Sequence, residues 1–254
     1  MSVETIKEIG HLIRNCEYTI ALSGAGVSTP SGIPDFRSTN SGLWETYDPF
    51  EVASLNAFRY NPEKVYAWLR PLAKLIIEAS PNSAHDGLAH LEADGCLKKI
   101  ITQNVDSLHQ KAGSNNVLEV HGSFRTLTCT SCFKQHHASK FIDTYIEDGE
   151  LPLCKSCQRI LKPDAILIGE QLPANTWQQA VEASRRCDLL IVIGSSLEVM
   201  PVAGLPMTAL DNGAQLIILN QQETYMDIRA DIILREDVAI TIPAVVNEVL
   251  GGGY

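Results

Sequence analysis

Apolar residues in this chain gather into short unbroken runs separated by longer stretches with helical spacing. The runs are "YTIAL" (18–22), "KKIIT" (98–102), "NVLEV" (116–120), "DLLIVIG" (188–194) and "AQLIILN" (214–220). Three of them lack the in–out alternation of a half-exposed strand. Strands covered on both faces look like this, and those are parallel strands. Helical spacing fills the intervals at about 62–79, 83–94, 174–186, 202–212 and 243–250. The N-terminus adds an amphipathic helix with Ile6, Ile9, Leu12 and Ile13 on one side. Strands alternating with helices predict an α/β fold around a parallel sheet. Residues 39–82 and 122–163 break the alternation. Both read as insertions that pack together as a smaller lobe.

With 254 residues, 45% of them hydrophobic, the chain has enough apolar material for one large domain or two modest ones. It contains no run of about 18 apolar residues, so no membrane-spanning helix is expected. The first twenty residues have no apolar core of the secretory kind, and a cytoplasmic location is expected. The net charge of −10 argues against a duplex-binding surface, which needs cations to neutralise phosphates. A monomer is expected.

Four of the seven cysteines form two tight pairs, "CTSC" (129–132) and "CKSC" (154–157), with 21 residues between them. Each knuckle offers two thiolates, and two knuckles complete a tetrahedral site for zinc. Cys129, Cys132, Cys154 and Cys157 leave no open coordination position, so such a zinc is structural. It would hold residues 124–160 together, because metal binding supplies folding free energy to small ribbons.

Strand ends carry the remaining chemistry. "GAGVSTPSGIPDFRS" (24–38) starts as half of a dinucleotide fingerprint. Gly24 and Gly26 fit G-x-G-x-x-G, but Thr29 stands in the third glycine's place, and Pro30 and Pro34 disfavour a crossover helix. Asp35, Phe36 and Arg37 add a carboxylate, a ring and a guanidinium. Gln103, Asn104 and Asp106 follow "KKIIT", where open α/β sheets bind ligands. His121 ends "NVLEV" and is a candidate general base. "GSSLEVMP" (194–201) and Asn220 close two further strands with hydroxyl and amide groups.

In this order, these motifs resemble the sirtuins, the NAD-dependent protein lysine deacylases. The resemblance runs from about Tyr18 to Asp237 and is closest to compact bacterial or archaeal members. It implies a single catalytic domain over 1–254, with a Rossmann-like large domain from 1–38, 83–121 and 164–254. Residues 39–82 and 122–163 would form a small lobe, with a helical module and a four-cysteine zinc module. It implies that Gly24, Ala25, Gly26, Thr29, Asp35, Phe36 and Arg37 line the NAD site. Gln103, Asn104, Val105 and Asp106 would surround the nicotinamide and its ribose, and Gly194, Ser195, Ser196, Asn220 and Asp237 the adenosine half. His121 would be the general base beside Asn104. The acylated lysine of a protein substrate would enter as a strand between Ile166, Ile168, Gly169 and Glu170 on one side and Leu197 and Val199 on the other. The activity implied is removal of acyl groups from protein lysines, giving nicotinamide and O-acyl-ADP-ribose. Protein mono-ADP-ribosylation and a non-catalytic NAD- or zinc-binding module are the alternatives.

Two positions depart from parts of the family. Members that remove succinyl or malonyl groups carry Tyr and Arg where this chain has Leu69 and Leu72, which implies neutral acyl groups such as acetyl. Ile168 replaces an aromatic found in many relatives, which opens room for longer acyl chains.

Overall fold

The structure, a computed structural model, describes residues 2–35 and 46–252. The chain forms α1 (Val3–Asn15), β1 (Thr19–Ser23), α2 (Pro49–Val52), α3 (Leu55–Tyr60), α4 (Pro62–Glu78), α5 (Ser83–Ala93), β2 (Lys99–Thr102), α6 (Leu108–Lys111) and β3 (Val117–Glu119). It continues through β4 (Thr126–Cys129), β5 (Gln135–His137), α7 (Ile142–Asp148), β6 (Leu161–Pro163), α8 (Ala174–Arg186), β7 (Leu189–Ile193), α9 (Leu205–Asp211), β8 (Gln215–Leu219), β9 (Ile232–Leu234) and α10 (Val238–Leu250). These elements form two compact units. One comprises residues 1–31, 80–120 and 174–254, the other 32–79 and 121–173.

The first unit is built on a parallel sheet in the order β3-β2-β1-β7-β8-β9. Every residue of β1 and β7 is buried, which explains why their sequences do not alternate. One face is covered by α1, α5 and α10. There Ile9, Ile13, Leu88, Leu91, Val245 and Val246 pack against Ala21, Ile100, Ile191 and Ile217. Burial of each large side chain contributes roughly 1.5–3 kcal/mol. The strand order reverses between β1 and β7. Ligands of open α/β sheets bind beyond the carboxyl ends of the strands at such a reversal.

The last helix starts five residues earlier than its sequence spacing suggests. Asp237 caps it, accepting the Ala239 N–H at 2.8 Å, and Pro243 lies inside it. A proline there cannot donate to the carbonyl of Ala239. The Ser83 hydroxyl takes that carbonyl at 2.6 Å, so the helix continues without an orphaned acceptor.

Among the described residues, the second unit joins the helices α2, α3, α4 and α7 to an antiparallel sheet in the order β5-β4-β6. Buried tyrosines tie the two parts together. The Tyr66 hydroxyl on α4 donates to the Leu161 carbonyl at 2.6 Å, and the Tyr145 hydroxyl on α7 donates to the Tyr66 carbonyl at 2.5 Å.

Candidate active site and metal centre

Three glycines bring the ends of β1 and β7 together. A Cβ on Gly24 would stand 2.7 Å from the Gly194 carbonyl oxygen, and one on Gly26 would stand 2.9 Å from the Gly194 Cα. Gly194 has φ +58°, and a Cβ on it would meet the Val27 nitrogen at 2.5 Å. The Gly24 N–H donates to Ile193 and the Gly26 N–H to Gly194, at 3.0 and 2.9 Å. The glycines therefore serve first to let two strand ends touch, and the N–H groups of Gly24 and Gly26 are committed there. The Thr29 hydroxyl donates to the Gly26 carbonyl at 3.1 Å and pins the loop that follows. Asp35 is the last residue described before the gap, and Phe36 and Arg37 lie outside the described residues.

Beyond β2 two of the predicted polar residues, Asn104 and Asp106, converge on Ser28. Its hydroxyl donates to Asp106 Oδ2 at 2.7 Å and accepts from Asn104 Nδ2 at 3.0 Å. Asp106 Oδ1 accepts the Leu108 N–H at 2.8 Å. All three residues are buried. His85 lies behind them, with Nε2 3.5 Å from the Ser28 hydroxyl. Its Nδ1 accepts the Asn82 N–H, which leaves the ring proton on Nε2. Burial pushes His85 down to about 4, against the opposing pull of the Asp106 and Asp86 carboxylates. His109 packs edge-on to it at 4.9 Å and is pushed down to about 3, by burial first and then by His85. Its Nε2 sits 2.8 Å from the Ser23 hydroxyl, which donates onward to Thr102, and the Thr102 hydroxyl accepts the Asn104 N–H. Both rings are neutral at physiological pH.

The other strand ends are also tied together. The Gln103 side-chain amide donates to the Ser195 hydroxyl at 2.8 Å, and that hydroxyl accepts the Leu197 N–H. Asn220 Nδ2 donates to the Gln222 carbonyl, and the Arg235 guanidinium donates to the Asn220 carbonyl. Ser196, Val105 and Val199 are half-buried, and the Asp237 carboxylate is engaged as the cap of α10.

In the second unit His121 stands two residues beyond the end of β3, and its carbonyl accepts the Ile166 N–H at 2.8 Å. Gly122 has φ +70°, and a Cβ on it would lie 2.0 Å from the Asp164 carbonyl oxygen, so no other residue fits. Ile168 sends its N–H to Ala53 and receives the Leu55 N–H, both at 2.9 Å. That uses the whole backbone of Ile168 on the α2–α3 side. Among the described residues, Gly169 next to it has no backbone hydrogen-bond partner. Leu69 and Leu72 are buried. Arg70, between them in sequence, turns to the C-terminus of α7 and donates to the Ile146 and Glu147 carbonyls at 2.7–3.0 Å.

The four paired cysteines meet. Their sulfurs all lie within 4.8 Å of one another, with Cys129 to Cys157 at 3.3 Å and Cys132 to Cys154 at 3.6 Å. Zinc–thiolate bonds of about 2.3 Å place tetrahedral sulfurs about 3.8 Å apart, so the cluster fits that ion. The Cys132 and Ser131 N–H groups hold the Cys129 thiol down at about 6. The Ser156 N–H leads in holding Cys154 at about 7. A hydrogen bond to Cys129 holds Cys157 up at about 12, because adjacent sulfurs cannot all be charged without a cation among them. Cys129 and Cys154 also form the small core of this sheet with Leu127 and Leu161.

Residues 24–201 match the family model described as the Sir2 family. The chain belongs to the Sir2 family, the sirtuins. It is 42% identical over 240 residues to the "NAD-dependent protein deacetylase" of Sulfurisphaera tokodaii, covering 94% of each chain. It superposes on a solved Sir2 enzyme with a TM-score of 0.92 at 38% identity, covering 98% of this chain and 99% of the other. Sir2Tm bound to a propionylated peptide matches with a TM-score of 0.86 at 35% identity, covering 96% of this chain and 98% of the other.

Within this sirtuin, the residues that the sequence did not single out are Ser28, His85 and His109. Ser28 lay inside the glycine stretch and was hidden by its plainer neighbours. His85 sits in a helix whose spacing advertises only packing. The detectable signal was a pair of histidines in segments that flank β2, both facing buried serines.

Proposed function

We propose that this sirtuin removes acetyl or other neutral acyl groups from protein lysines, consuming NAD and releasing nicotinamide and O-acyl-ADP-ribose. The observation that carries the reading is the buried set Ser28–Asn104–Asp106 beyond β2, beside the β1–β7 reversal. Its chemistry suits NAD. Neutral amides and hydroxyls at Gln103, Asn104, Ser195, Ser196 and Asn220 match ribose and carboxamide groups, and Asp106 supplies one fixed acceptor. A dry pocket with few, fixed dipoles favours an oxocarbenium-like centre over its hydrated competitor. Gly24, Ala25, Gly26, Thr29, Asp35, Phe36, Arg37, Val105, Gly194 and Asp237 complete the assignment by family likeness.

In this reading the acyl-lysine carbonyl oxygen attacks C1′ of the nicotinamide ribose and nicotinamide leaves. His121 takes a proton from a ribose hydroxyl, the 2′-oxygen attacks the imidate carbon, and water then adds there as the C–N bond breaks, so that free lysine leaves and the acyl group stays on the ribose. General-base removal of this kind is typically worth about 10²–10⁴-fold. The acylated peptide adds its backbone at Gly169, since the backbone of Ile168 is already engaged. Zinc at Cys129, Cys132, Cys154 and Cys157 has a structural role. Among the described residues no helix is long and apolar enough to cross a membrane, and we assign the enzyme to the cytoplasm.

The test is mass spectrometry of an acetyl-lysine peptide incubated with and without NAD, alongside His121→Ala. NAD-dependent loss of acetyl, appearance of O-acetyl-ADP-ribose and collapse in the variant are expected. ADP-ribose added to protein with the acetyl group retained would overturn the assignment.

A further inference from the structure

The stretch from Leu161 to Glu170 is bound more tightly than a connecting loop requires. Lys162 Nζ donates to the Pro163 carbonyl at 2.6 Å and the Ala165 carbonyl at 3.1 Å, and meets Glu170 Oε2 at 2.9 Å. An ammonium has three hydrogens, and all three are used. Glu170 Oε2 also accepts the Leu167 N–H at 2.8 Å, while the Glu170 N–H returns to the Leu167 carbonyl at 3.0 Å. The two side chains are only 12% and 18% exposed, against 46% and 62% for Lys64 and Glu51 in an ordinary surface pair. An ion pair withdrawn this far from water gives back much of its attraction as desolvation cost, so net stability is a poor explanation for it. Specifying one geometry is a better one.

The geometry that it specifies touches both parts of the site in this unit. Ile166 is fastened to the His121 carbonyl, and the Asp164 carbonyl occupies the space where Gly122 has no side chain. Ile168 is fastened to Ala53 and Leu55. Gly169 is held between Ile168 and Glu170.

We propose that Lys162 and Glu170 are positioning residues, a latch that fixes residues 163–170 in the shape that presents Gly169 to the acylated peptide. The inference rests on the deacylase reading for its ligand but not for its mechanics. Loosening the latch frees the peptide-binding edge before it affects the NAD-binding strand ends.

Glu170→Gln keeps an acceptor for Leu167 and removes the charge; Lys162→Met removes all three donors. Both are assayed with acetyl-lysine peptide and NAD varied separately, together with hydrogen exchange of residues 163–170, thermal unfolding and zinc content. In Glu170→Gln the peptide KM rises about tenfold, the KM for NAD stays put, and the amides of Ile166 to Ile168 exchange faster. Lys162→Met shows the same pattern more strongly. Should Lys162→Met fail to fold, the milder variant decides alone. An unchanged peptide KM, or a loss confined to kcat, in a Glu170→Gln protein with native melting and zinc overturns the latch. If the wild-type protein does not turn over the peptide, the deacylase reading falls. Hydrogen exchange then still decides whether the pair holds the segment.

Discussion

Ser28 sets the aim of two site residues at once, because one hydroxyl serves both the Asp106 carboxylate and the Asn104 amide. Ser28→Ala leaves both short of a partner in a buried place, at a cost of about 1–3 kcal/mol. The expected outcome is a lower urea midpoint and nicotinamide release slowed by about tenfold or more; a stable variant with full activity would show that neither group needs this hydroxyl. The histidines behind it make stability depend on pH. The folded chain holds His85 near 4 and His109 near 3, whereas the unfolded chain protonates them near 6.5. Their neutral forms thus support folding fully above about pH 6.5, and the support is lost as pH falls from there towards 4. The slope approaches about 1.4 kcal/mol per pH unit for each ring. Urea midpoints taken from pH 7.5 to 5 should fall more steeply in the wild type than in His109→Asn, and parallel slopes would count against the burial argument. Acyl choice is also written in single residues. Leu69 and Leu72 offer no counter-charge, and Arg70 is spent on the end of α7. Acetyl-lysine peptides should therefore give a higher kcat/KM than succinyl-lysine peptides, and the reverse order would sink the neutral-acyl assignment.

Elements differ in how plainly the sequence announces them. The runs that became β1, β7 and β8 were legible because strands buried on both faces are apolar nearly throughout. The last strand, β9, has three residues, too few for any period to register. The sheet of β4, β5 and β6 is as short, and its ordering comes from the metal knuckles more than from propensity. The cysteine spacing was therefore a better guide to it than hydropathy. Pro243 misplaced the start of α10, since the Ser83 hydroxyl that makes a proline tolerable there comes from α5, far away in sequence. The knuckles carry their own prediction. Stripping zinc with a chelator, or making Cys154→Ser, should abolish hydrogen-exchange protection in β4 and β6, while amides of β1 and β7 keep theirs. Equal loss in the two sheets would mean that the metal stabilises more than the small core of Leu127 and Leu161.

At the scale of the whole molecule, two compact units share the work unequally. The first holds every described residue that we assign to NAD apart from Asp35, and the second holds His121, the zinc knuckles and the proposed peptide edge at Gly169. The interruptions in the strand–helix alternation fall at 39–82 and 122–163, and the second unit comprises 32–79 and 121–173. The hydrogen-bonded hub at Ser28 could not be read from the sequence, because it is assembled from segments up to 78 residues apart. A division of this kind predicts separable ligand effects. NAD at about 100 times its dissociation constant should stabilise the fold by about 2.7 kcal/mol. Exchange protection should rise at residues 24–29, 103–106 and 194–196, while the amides of β4 and β6 keep their rates. An acetyl-lysine peptide added alone should instead slow exchange around Gly169. If NAD protected the metal-bound sheet as strongly as the strand ends, ligand binding would have to be written as an act of both units together.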